Sequence, residues 1–162
     1  MQLRNNERKV YMLKKTIKKI WKSLPWRLRI ALVRVTQPKF TVAVIGVVFN
    51  RKGEVLLLDH WLRASKSGWA LPGGFISSNE QPEVALRREI LEETGLMIYN
   101  ERLLSVRTRR KHIEIMFRAE ADGIPESNSI EIVRAKWFSI TEIPDAMSPV
   151  QKDLILQALS FN

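Results

Sequence analysis

The segment from Gly74 to Leu96, GFISSNEQPEVALRREILEETGL, limits this chain more than any other. Pro82 near a first helical turn, Ser77, Ser78 and Asn79 just before it, and Gly95 after Thr94 predict a helix from about Gln81 to Thr94. On that helix Glu89, Glu92 and Glu93 stand at i, i+3 and i+4, so their carboxylates share one face. Like charges so close repel, and a helix tolerates them poorly unless something cationic sits among them. Hard divalent ions such as Mg²⁺ and Mn²⁺ take carboxylate oxygens and keep waters and phosphates as their remaining ligands. Arg88 lies beside the cluster, placed to orient a carboxylate through charge-assisted hydrogen bonds. Glu80 falls near the positive end of the helix dipole. The bare chemistry is a metal site suited to polyphosphate. A solvated acidic face would account for any two or three of these residues. It does not account for the flanking glycines or the Leu71-Pro72-Gly73-Gly74 turn.

The rest of the chain must supply a core. At 162 residues and 45% hydrophobic side chains it suits one compact domain of ordinary size. The longest uncharged apolar run, Phe40 to Asn50, has eleven residues, short of the roughly 18 that a membrane span needs. The absence of cysteine excludes disulfide scaffolds and thiolate chemistry. His60 and His112 are too few for a histidine cage, have no partner spacing and receive no role.

Net charge is +10, which first suggests nucleic-acid binding. Its distribution argues otherwise. Residues 1–40 hold twelve Lys and Arg against the single acid Glu7, and the remainder is close to neutral. The boundary falls near Thr36-Gln37-Pro38, dividing a basic helical arm, 1–38, from a near-neutral domain, 39–162.

Beyond the boundary the hydrophobic period changes. Phe40 to Phe49 reads as a buried strand, Asn50 to Gly53 as a turn, and Glu54 to Asp59 as a returning strand. His60 to Ala70 reads as a loop, with a short strand or turn after Gly74. Leu103 to Arg109 and Ile113 to Ala121 form a strand pair, and Ala135 to Ile140 a further strand. A last helix starts at Ser148-Pro149, with Val150, Leu154, Ile155 and Leu159 expected inward. The expected class is α/β (α+β), a sandwich of sheet and helices.

Gly74, Glu80, Arg88, Glu89, Ile90, Glu92, Glu93, Gly95 and Leu96 fill every position of G-x5-E-x7-R-E-U-x-E-E-x-G-U, with U aliphatic. The chain thus resembles the Nudix hydrolases, from Phe40 to the C-terminus. The resemblance implies a Nudix fold, a mixed sheet sandwiched between helices, and a metal-dependent pyrophosphohydrolase that cleaves the diphosphate linkage of a nucleoside diphosphate joined to another moiety. Carried over by position, Glu89, Glu92 and Glu93 would bind Mg²⁺ or Mn²⁺ with the Gly73 carbonyl. Arg88 would orient a catalytic glutamate, and Glu80 would support the metal site. The general base stays open among the box glutamates, Glu114, Glu120, Glu126 and Glu131. For substrate, Trp69 and Phe75 are candidates to stack on a base, and Arg109 and Arg110 to meet distal phosphates. An RNA 5′-end pyrophosphohydrolase and a non-catalytic nucleotide-sensing or partner-binding module are the alternatives.

In the arm, Val10, Leu13, Ile17, Ile20 and Leu24 recur at helical steps among Lys14, Lys15, Lys18, Lys19 and Lys22. Pro25 ends this helix, and a second runs from Trp26 to Val35. Three uses stay open for residues 8–35: docking on the domain or in a homodimer, contact with an anionic membrane, or contact with RNA or another polyanion. Arg27, Arg29 and Arg34 interrupt any secretory apolar region, and scarce hydroxyls weaken a mitochondrial transit signal. The expected location is cytoplasmic, membrane-peripheral if the arm binds lipid.

Overall fold

The computed structural model describes residues 2–61 and 68–161. The chain divides into two units, Met1–Lys39 and Phe40–Asn162. In the first, α1 (Gln2–Ser23) and α2 (Trp26–Thr36) are separated by Pro25, which N-caps the second helix. Pro25 has no N–H to offer the end of α1, and its fixed φ of −54° suits the entry to α2. No residue of α2 is buried. Among the described residues no helix is long and apolar enough to cross a membrane.

The second unit is built on a six-stranded mixed sheet. Strand β1 (Thr41–Phe49) turns through Asn50, whose side-chain carbonyl accepts the Lys52 and Glu54 N–H groups, into β2 (Val55–His60). The hairpin then splays. β1 and β2 pair only at Phe49 and Val55. β1 runs parallel to β5 (His112–Ala121) along its whole length, while β2 runs antiparallel to β6 (Ile132–Phe138). β5 pairs in turn with β4 (Ile98–Arg109). On the inner edge of β2, Leu58 and Asp59 pair with the two-residue β3 (Trp69–Ala70).

Period-two alternation gives each face of the sheet its own core. Val44, Val48, Leu56, Leu58 and Phe117 meet Ala85, Leu86 and Ile90 of α3 (Pro82–Thr94). On the opposite face Val47, Phe49, Val55, Leu57 and Met116 meet Leu154, Ile155 and Ala158 of α4 (Pro149–Leu159). The result is the expected mixed sheet between helices.

Several expectations need correction. The inward face of α4 is Gln151, Leu154, Ile155 and Ala158, while Val150 and Leu159 are each 46% exposed. The helix is rotated because the buried Gln151 amide oxygen accepts the Leu71 N–H at 3.2 Å, a polar demand that hydrophobic spacing does not reveal. His60 belongs to β2 and Trp69–Ala70 to β3, so the expected loop is shorter; its residues 62–67 lie outside the described residues. β4 begins at Ile98, five positions before the expected Leu103, because register shifts let its irregular start stay paired with β5. β6 spans Ile132–Phe138, and Ile140 opens a 3₁₀ turn (Ile140–Glu142).

Candidate active site

The splay between β1 and β2 makes the site. It leaves the inner edge of β1 unpaired over Val42 to Gly46, and the chain after β3 crosses the gap to fill that edge. Gly46 donates to Pro72 O at 2.9 Å, Val44 to Gly74 O at 2.9 Å, and Ile76 to Val42 O at 2.9 Å. The Leu-Pro-Gly-Gly run is therefore a lateral bridge between diverging strands. At Gly73 the backbone passes close over Val44 and Ile45 with φ +146°, where a side chain would collide with the Val44 carbonyl.

The bridge ends beneath α3, whose last turns carry the glutamates. Gly95 closes the helix at φ +71°, its N–H on Leu91 O at 2.9 Å. The three carboxylates share a face but not an environment. Glu93 is buried, Glu89 is mostly covered with 17% of its side chain exposed, and Glu92 is 59% exposed. Mutual repulsion is relieved by donors: one guanidinium nitrogen shared by Glu89 and Glu92, and a backbone N–H for Glu93. Glu93 Oε2 accepts the Gly73 N–H at 3.2 Å. Glu89 Oε1 takes Arg88 Nη1 at 2.8 Å, and Glu92 Oε2 takes the same nitrogen at 3.3 Å. Among the described residues no three His, Asp or Glu side chains are gathered around one ion position.

Arg88 is the centre of the arrangement. Nε and Nη2 grip Glu80 at 2.8 and 3.0 Å, a two-pronged pairing that only the planar guanidinium provides. Nη2 also donates to the Phe75 carbonyl at 3.2 Å. Glu80 Oε2 accepts the Ser77 N–H at 2.8 Å. Arg88 and then Ser77 hold the Glu80 carboxyl down to about 2 from its ordinary 4.5, and Glu80 foremost among its partners raises Arg88. Glu80 thus reaches the glutamate helix through Arg88. Sequence reasoning missed the Phe75 carbonyl and the Ser77 and Gly73 N–H groups. Only the Ser-x-x-Glu spacing of 77–80 hinted at one of them.

Gly74 explains the motif's first glycine. A Cβ there would overlap the Glu89 carboxyl, so the hydrogen makes room for the acid group against the bridge. Chemically the donor set suits a hard divalent ion: carboxylate oxygens within one helical turn, held over a backbone segment, with a fixed guanidinium beside them.

The candidate bases separate by partner. Glu114 is paired with Arg107 and has His112 at 3.8 Å. Glu120 accepts from Arg118 at 2.9 Å and Asn100 at 3.1 Å, and Arg118 lowers its carboxyl. Glu126 and Glu131 are exposed. The Glu126 N–H binds Thr94 O at 2.9 Å and the Asn128 N–H binds Glu93 O at 3.2 Å, so this loop clasps the end of α3 that bears Glu92 and Glu93.

Of the substrate candidates, Phe75 is 63% exposed and stands edge-on to His112, with ring centroids 5.8 Å apart. It borders a cavity of about 580 Å³ with Phe40, Thr41, Val42, Ile76 and Ile115. Trp69 is half-buried, edge-on to Phe138 at 4.8 Å, with the Arg134 guanidinium over its ring at 5.1 Å. Arg109 pairs in register with His112, and Arg110 forms the hairpin turn at φ +55°; both are exposed.

The sheet between helices and the arginine-braced glutamate helix define a hydrolase of the Nudix class. Residues 39–158 match the NUDIX domain, and the chain belongs to that family. It acts on phosphorus anhydrides, and hydrolases of this family are generally dependent on divalent metal ions. It is 33% identical over 124 residues to a MutT-like protein of Streptomyces ambofaciens, covering 75% of this chain and 79% of that one. It is 32% identical over 106 residues to human 8-oxo-dGDP phosphatase NUDT18, covering 62% of this chain and 33% of that protein. The crystal structure of a MutT NUDIX hydrolase from Burkholderia pseudomallei superposes with a TM-score of 0.63 at 25% identity, covering 74% of this chain and 98% of that one.

Proposed function

We propose that this chain hydrolyses the diphosphate linkage of a nucleoside diphosphate derivative, with Mg²⁺ or Mn²⁺ held by Glu89, Glu92, Glu93 and the Gly73 carbonyl. The observation that carries the reading is the grip of one guanidinium on Glu80, Glu89 and Glu92 at the end of the glycine bridge. When bound, the ion neutralises charge on the phosphate oxygens, so a poorly electrophilic phosphorus accepts attack by water. The protein's own part is positioning. Arg88 fixes the Glu89 carboxyl, Glu80 fixes Arg88, and Gly73 fixes the buried Glu93 through its N–H. Phe75, at the mouth of its cavity, offers a ring for the base of the nucleotide. The name of the human relative, an 8-oxo-dGDP phosphatase, supports a nucleoside diphosphate as the first candidate.

The test is turnover of a nucleotide panel with Mg²⁺ and with Mn²⁺, comparing the parent with Glu93→Gln and Glu92→Gln. We expect release of phosphate or nucleotide monophosphate by the parent and a loss on the order of 10²–10³-fold in each variant. Unchanged turnover in both variants would sink the assignment. So would an inert parent on every nucleotide.

A further inference from the structure

The arm carries charge and apolar surface that the hydrolase site does not use. On a helical wheel of α1 the residues Val10, Leu13, Ile17, Ile20 and Trp21 fall within an arc of roughly 100°. Lys14 and Lys9 mark the two edges of that arc, and Arg8, Lys15, Lys18, Lys19 and Lys22 spread over the rest of the helix. The apolar arc is uncovered: Val10, Leu13, Ile17 and Ile20 are each between 49% and 61% exposed. α2 is more apolar still, with Leu28, Leu32 and Val35 exposed on one side and Trp26, Ile30 and Val33 on the other.

Between the helices lies a cleft of about 450 Å³, lined by Trp21, Trp26, Arg29, Ile30, Val33 and Arg34. Within it Arg29 Nε is shielded from solvent and has no hydrogen-bond partner among the described residues. Arg29 as a whole is only partly buried, so its guanidinium stands where apolar surface meets solvent.

We propose that the unit of α1 and α2 is an interfacial anchor that lies on an anionic lipid surface. The observations fit that partner on three counts. An exposed apolar arc rimmed by lysines matches a boundary at which acyl chains meet phosphate headgroups. Trp21 and Trp26 stand at the joint between the helices, and tryptophan concentrates at membrane–water interfaces. Arg29 and Arg34 beside the cleft supply guanidinium donors for a lipid phosphodiester. Neither helix spans the bilayer, so the contact is peripheral. A nucleic acid would satisfy the lysines and leave the isoleucines in water.

The 162-residue chain should sediment with vesicles of phosphatidylcholine mixed with phosphatidylglycerol, and not with phosphatidylcholine alone. Tryptophan emission should shift to the blue on binding, and added salt should release the protein. Lys18→Gln should weaken partition about fivefold, and Lys18→Gln with Lys22→Gln about 25-fold. Ile17→Gln with Ile20→Gln keeps good helix formers and should weaken it at least tenfold, with nucleotide turnover and helical circular dichroism unchanged. Equal partition to both vesicle types, or partition to neither, would overturn the anchor. Vesicle binding that needs the lysines but survives the double isoleucine change would make the arm a general polyanion contact and also overturn it. An arm-dependent dimer in sedimentation, dissolved by the isoleucine changes and without vesicle binding, would assign the arc to a second copy instead.

Discussion

The last turns of α3 and the whole of α1 are both crowded with like charge, and they treat it in opposite ways. In α3 each carboxylate has a specified donor: Arg88 for Glu89 and Glu92, the Gly73 N–H for Glu93. Around them, Gly74 leaves no room for even one added methyl. In α1 the lysines surround an uncovered apolar arc. Paired, partly buried charge defines positions to fractions of an ångström and suits chemistry. Exposed charge of one sign defines only a local potential and suits attraction to an extended surface. Substitution at the first should therefore be felt atom by atom, and at the second as a sum of small increments.

The sharpest way to break this contrast is Gly74→Ala. The backbone there accepts alanine, but the methyl falls where the Glu89 carboxyl sits. Turnover should drop about 100-fold, because a displacement near 1 Å is that costly in a positioned site. The thermal midpoint should barely move. An active Gly74→Ala enzyme would mean that the Glu89 position is not critical.

Arg88→Lys comes next. It keeps the charge and loses the fork that grips Glu80 while reaching Glu89. We expect kcat to fall about 10- to 100-fold, with KM changing less. A variant that turned over at the parental rate would show that charge alone is required at that position.

A smaller effect tests the pairing through pH. Glu80 is held at about 2 against an ordinary 4.5. A depressed folded-state value contributes stability above the ordinary value and loses it as pH falls through that window. The stability deficit of Glu80→Gln against the parent should be constant near neutrality and should shrink between about pH 5 and about pH 3. Urea midpoints across that range would show it, and a deficit that grew on acidification would contradict the pairing.

The smallest expected effect is on turnover when residues 1–38 are removed. Hydrolysis of a soluble nucleotide should stay close to the parental rate, because every residue assigned to the site lies beyond Phe40. A collapse of activity together with stability would join the two regions that the comparison separates.

Much of the candidate site's geometry was legible as residue spacing, because a helix converts positions i, i+3 and i+4 into neighbours whatever surrounds it. Glu89, Glu92, Glu93, Arg88 and the closing Gly95 were all placed that way. Spacing alone placed Glu80 only as a carboxylate near a helix start, and the resemblance as a support of the site; its grip on Arg88 arises across a turn in which Asn79 takes φ +65°. The α4 face was misjudged because its phase depends on Gln151 meeting the Leu71 N–H, a contact 80 positions apart. The early start of β4 and the Trp69–Ala70 strand escaped for the same reason, since pairing with a distant strand outweighs local propensity.

By itself the sequence determined the glutamate helix, the shared face of its carboxylates, the division of charge near Pro38 and the class of fold. These follow from local periodicity and composition, which act over a few residues. Tertiary structure decided which carboxylate is buried, why the paired glycines are there, and how Leu-Pro-Gly-Gly reaches the helix. Those depend on the parting of β1 from β2, which opens an edge for the bridge to fill. A strand's partner is chosen by the whole sheet, so the gap that makes the site was not visible in any one segment.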